Sequence, residues 1–66
     1  ASIVLNAANE IAVDAFLNQR IRVLDIARVN EQALNTLVLG TPNNLDDICA
    51  VDAQARAWAT EYIRKV

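Results

Sequence analysis

The sequence predicts an all-α fold: a small antiparallel bundle of three main helices plus a short extra helix. Two observations carry that expectation. Apolar residues recur at three- and four-residue spacing along most of the chain. The single Gly and the single Pro stand together in Gly40-Thr41-Pro42, so the strong helix breakers sit at one place. Short connections between such helices favour antiparallel neighbours.

The first helix is expected over Ile3–Leu17, with Ser2 as its N-cap. Val4, Leu5, Ala8, Ile11, Ala12, Ala15 and Phe16 make one broad apolar face. Asn6, Glu10, Asp14 and Asn18 form a polar stripe, with Val13 and Leu17 beside it on the far side. A helix with apolar residues on two sides is normally covered on two sides, so this one should sit centrally. Asn18 to Leu24 reads as an extended connector, in which Ile21 and Val23 alternate with Arg20 and Arg22.

Asp25 then reads as the cap of a second helix, Ile26–Leu39. Ile26, Val29, Ala33, Leu34, Leu37 and Val38 supply its buried face; Arg28, Glu31, Gln32 and Asn35 supply the wet one. Gly40 suits a left-handed closing residue, and Pro42 prevents resumption. A third helical region starts after Asn44, where Asp46 and Asp47 complement the helix dipole. Leu45, Ile48, Cys49 and Val51 are its apolar set. At Asp52 the sequence leaves open a straight run or a bend with a fresh helix from Ala53 to about Arg64; the bend is favoured, because burying an unpaired Asp costs several kcal/mol whereas a cap gains ~1 kcal/mol. Ala55, Trp58, Ala59, Tyr62 and Val66 then line one side. The expected core is Val4, Leu5, Ala8, Ile11, Ala12, Ala15, Phe16, Ile26, Val29, Ala33, Leu37, Ile48, Ala55 and Ala59.

Size and composition bound the function. At 66 residues the chain is one domain, and it removes only roughly 60% of its unfolded surface from water on folding. An apolar content of 55% exceeds what so small a body can hide, so surplus apolar surface is expected to meet a partner. The net charge is −2 and the six basic residues are scattered, which argues against nucleic acid. Uninterrupted apolar runs fall far short of the ~20 residues that cross a bilayer, so no membrane partner is expected. Nor is a signal or transit segment. One cysteine makes no internal disulfide, which suits a reducing, cytoplasmic compartment. The start at Ala1-Ser2-Ile3 and the close at Arg64-Lys65-Val66 within a helical pattern lead us to expect a fragment of a longer chain.

Each residue that invites a chemical role has a plainer one. With no His in the chain, the commonest general base and metal ligand is missing. Glu10 and Asp14 are one turn apart, yet two carboxylates without a third ligand make a poor metal site and read as a solvated stripe. Asp46 and Asp47 do not face each other on a helix and serve its N-terminus. Cys49 stands among Ile48, Ala50 and Val51, a setting for a buried structural thiol. Asn6 and Asn9 are poor helix-interior residues; hydrogen bonds to a neighbouring loop or domain and plain exposure are equally open. Asp52 and Arg56 are spaced as an i, i+4 ion pair, and Trp58 with Tyr62 as a core or interface anchor. No catalytic, cofactor-binding or metal residue is therefore assigned.

Leu5-Asn6-Ala7-Ala8-Asn9-Glu10-Ile11-Ala12-Val13, followed by Ala15-Phe16-Leu17, resembles the helix that opens the C-terminal domain of 1-deoxy-D-xylulose 5-phosphate reductoisomerases. Ile21-Arg22-Val23-Leu24-Asp25-Ile26-Ala27, Leu45-Asp46-Asp47-Ile48 and Ala50-Val51-Asp52-Ala53-Gln54-Ala55-Arg56 resemble the same family in the same order. Val23 departs from the family's frequent Phe, and Ile48-Cys49 from its more usual Val-Leu. The resemblance implies a parent enzyme, typically a homodimer, that uses NADPH and Mg²⁺ or Mn²⁺ to make 2-C-methyl-D-erythritol 4-phosphate for isoprenoid synthesis. The family's nucleotide loop, metal carboxylates and phosphate-binding group match no position here. The implied role is a non-catalytic domain, itself without cofactor, whose partner is the catalytic domain of the same chain. The alternative is a free-standing helical protein-interaction module.

Overall fold

A computed structural model describes residues 3–37 and 43–65, and these form three helices without a strand. They are α1 (Ile3–Leu17), α2 (Val23–Thr36) and α3 (Leu45–Lys65). The expected bounds of α1 agree with the structure; its Ser2 cap lies outside the described residues, as do Val38, Leu39, Gly40, Pro42 and Val66. A 21-residue helix is about 31 Å long, so α3 sets most of the 36 Å long axis of the molecule.

Three expected boundaries change. Residues 18–22 form a compact turn instead of an extended connector. Arg20 N–H donates to the Ala15 carbonyl at 2.9 Å and Gln19 N–H to that of Phe16 at 3.0 Å, while Gln19 takes φ 61°. That is the Schellman closure of a helix, with Gln where Gly is usual. Helix α2 begins at Val23, two residues before Asp25. Asp25 is thus inside the first turn, and its Oδ2 accepts the Arg22 N–H at 3.0 Å. At the other end α2 stops at Thr36, with Leu37 already extended.

A fourth correction concerns α3, which runs through Asp52 without the expected bend or extra helix. Asp52 is only half-buried, and its Oδ2 accepts from Arg56 Nε at 2.8 Å one turn on. A paired, partly wet carboxylate has no reason to end a helix. Asn44 caps α3: its Oδ1 accepts the Asp47 N–H at 2.8 Å, and Asp47 Oδ2 accepts the Asn43 N–H at 3.1 Å.

Helix α1 packs against both α2 and α3, which touch each other less, as its central placement requires. Small residues make the core. Of its eleven members among the described residues seven are alanine: Ala7, Ala8, Ala12, Ala15, Ala33, Ala55 and Ala59. Val4, Ile21, Val29 and Ile63 complete it, with Ile11, Ile26, Leu37, Val51, Trp58 and Tyr62 packed around. Ala7, Ile21 and Ile63 were not expected there. Phe16 and Ile48, expected inside, are 38% and 41% exposed, and Leu34 and Cys49 are exposed too. The chain exposes 4617 Å², against about 4,100 Å² for a compact monomer of its mass. Among the described residues no helix is long and apolar enough to cross a membrane.

Candidate functional site

The polar groups gather where α1 faces its neighbours. Arg56 on α3 is the hub. Its Nε donates to Asp52 Oδ2 at 2.8 Å and its Nη2 to Glu10 Oε2 at 2.6 Å, so one planar fork ties α3 to itself and to α1. These charge-assisted bonds, that to Asp52 first, raise the guanidinium pKa above its ordinary value. The Asp52 pairing follows from its spacing. Glu10 is exposed, as a solvated stripe requires, but its pairing across 46 residues leaves no mark in local sequence.

On the other side of α1, Asn30 Nδ2 donates to Asn9 Oδ1 at 2.9 Å, tying α2 to α1. Asn9 therefore bonds to a neighbouring helix rather than to a loop or a further domain, and both Asn9 and Asn6 are exposed. The Asn30 Oδ1 atom is buried without a hydrogen-bond partner. Trp58 and Tyr62 stack with ring centroids 5.0 Å apart and 17° between planes, both half-buried against the core.

Two shallow concavities border α1. One of about 330 Å³ is lined by Asn9, Glu10, Val13, Asp14 and Leu17. A second, of about 180 Å³, lies between α1 and the end of α3 and is lined by Ile11, Asp14, Ala15, Arg20, Thr60 and Ile63. Neither brings a nucleophile to a base. Asp46 and Asp47 sit in the first turn of α3, and Cys49 follows them on the exposed surface.

These residues do not fit the metal or nucleotide that the resemblance implies for a parent enzyme. Among the described residues no three His, Cys, Asp or Glu side chains are grouped as cation ligands. Glu10 already faces a guanidinium, which would repel a divalent ion at its carboxylate. The tight turn at residues 18–22 carries Gln19 and two arginines where a nucleotide-cradling turn needs glycine.

Residues 1–58 match the family described as DXP reductoisomerase C-terminal domain. Over all 66 residues the chain is 47% identical to a 1-deoxy-D-xylulose 5-phosphate reductoisomerase of Shewanella woodyi, and the match takes up 17% of that protein. A protein of the same name from Burkholderia lata is 52% identical over 65 residues, 98% of this chain and 16% of that one. Another, from Psychrobacter arcticus, is 48% identical over all of this chain and 17% of its own length. The chain thus spans about one sixth of the length of the curated relatives it matches. No solved structure matches.

Proposed function

Because the chain belongs to the DXP reductoisomerase C-terminal domain family, we propose that it is the non-catalytic helical domain at the end of a longer reductoisomerase. That enzyme converts 1-deoxy-D-xylulose 5-phosphate to 2-C-methyl-D-erythritol 4-phosphate with NADPH and Mg²⁺ or Mn²⁺, as a cytoplasmic homodimer. The near-half identity along the whole chain to proteins of that name carries the reading. The site geometry supports the division of labour. The Arg56–Glu10 and Asn9–Asn30 bonds each join two helices.

The role we assign is support. Catalytic groups work only when held to within a fraction of an ångström, and that rigidity comes from packing outside the site. An antiparallel path between chain neighbours suits it. The Asn9–Asn30 bond across the short α1–α2 turn supports that path for these two helices.

Deleting this region from the full-length enzyme tests the role: thermal stability and turnover should both fall. Retention of both would end the reading. NADPH added to the 66-residue chain should leave its Tm unmoved, because a ligand that selects the folded state must raise it.

A further inference from the structure

We propose that the end of the bundle formed by the α1–α2 turn is the surface that docks into the rest of the longer chain, in an apolar socket rimmed by carboxylates. This rests on the reading of the chain as one domain of a reductoisomerase. The last residue of α1, Leu17, is 71% exposed, and the first two of α2, Val23 and Leu24, are 61% and 80% exposed. A five-residue turn joins them, so all three large apolar side chains lie at one end of the bundle. The core leaves them outside while it fills itself with alanine.

Charge defines the socket. Residues 18–25 carry Arg20 and Arg22 against one acid, Asp25, whose Oδ2 is engaged by the Arg22 N–H, in a chain whose net charge is −2. Both arginines are exposed. A basic, apolar tip is complemented by an apolar pocket with a carboxylate rim. The turn is also held firmly. Two Schellman bonds close α1, Asn18 Nδ2 donates to the Asp14 carbonyl at 2.8 Å, and buried Ile21 anchors the middle. It keeps Gln19 at φ 61°, a conformation that costs a non-glycine residue about 1–2 kcal/mol. A turn so fixed presents its side chains with little left to order on docking.

The occupant is a segment of the remaining chain, because the matched stretch fills only about one sixth of the relatives and the rest is joined covalently. The opposite end has exposed Leu45 and Ile48 as well, but they flank Asp46 and Asp47.

The test uses the full-length chain with Leu24→Cys or, as reference, Leu34→Cys, both at positions exposed in the bundle. Iodoacetamide alkylation is followed peptide by peptide by mass spectrometry. The expected result is alkylation at 24 slower than at 34 by about tenfold or more, with the difference abolished in denaturant. Nearby arginines favour thiolate and would speed position 24, so slow labelling there reports cover. Equal rates, or protection at 34 alone, overturn the docking surface while leaving the deletion test of the parent role untouched. Protection at 24 that disappears on dilution assigns the tip to a second copy and overturns it as well.

Discussion

The seam between α1 and its neighbours and the tip at the α1–α2 turn use their apolar residues in opposite ways. In the seam Ala8, Ala12, Ala33, Ala55 and Ala59 are fully buried. At the tip Leu17 and Leu24 are left in water. Burying a Leu or Val is worth ~1.5–3 kcal/mol, far more than an Ala methyl yields, so at the tip the bundle leaves strongly apolar groups unused. Small side chains let helices approach closely and fix their geometry. Large ones held outside carry the free energy of a contact still to be made. On the proposed docking, the fold of this chain and its attachment to the rest of the enzyme would use different residues.

Enlarging a seam residue should break this arrangement most severely. Ala12→Leu adds three heavy atoms at a position with no free surface, and overpacking of that kind costs about 1–3 kcal/mol. A urea midpoint unchanged from the parent chain would mean the seam is loose and the contrast with the tip false.

Next in size is a change at the tip with the opposite sign. Gln19→Gly relieves the left-handed φ of 61° and should stabilise by about 0.5–1 kcal/mol, the strain released less the added chain entropy. Thermal denaturation reads the gain; a loss would show that the Gln19 side chain itself holds the turn.

The Arg56 fork sharpens the comparison from the polar side. Its raised pKa means that its contribution is present throughout the neutral range and lost only as pH climbs through that elevated value in strong alkali. Salt is therefore the useful probe. Arg56→Met keeps the stem and removes both bonds, so its deficit in denaturation midpoint should shrink as ionic strength rises. A deficit independent of salt would assign Arg56 a packing role alone.

How much of this was legible depended on whether the deciding interaction was local. The bounds of α1 follow from periodicity, and the start of α3 from Asn44 and the two aspartates after it. The start of α2 does not, because an Asp before an apolar run reads alike as a cap or as a first-turn residue reaching back to Arg22. The bend expected at Asp52 came from pricing it as buried and unpaired, although Arg56 was already visible one turn on. Size is a poor guide to core membership: the sequence points to Phe16 and Ile48, which are exposed, and not to Ala7, which is fully buried. The Glu10–Arg56 and Asn9–Asn30 links join distant parts of the chain and leave no local signature.

The smallest expected effect bears most directly on the contrast. Leu24→Ala removes a large apolar side chain from the second position of α2, where 80% of its surface faces water. Ala and Leu are both strong helix formers, so the helix itself changes little. In the 66-residue chain the substitution should alter stability by no more than about 0.5 kcal/mol, the usual range for exposed positions. Leu24 is buried by nothing within the bundle, so no cavity forms when it is cut back. A loss of several times that amount would mean that Leu24 packs onto the bundle in solution. The tip would then belong to the core, and the division between a small-residue interior and a large-residue attachment surface would fail at its most exposed member.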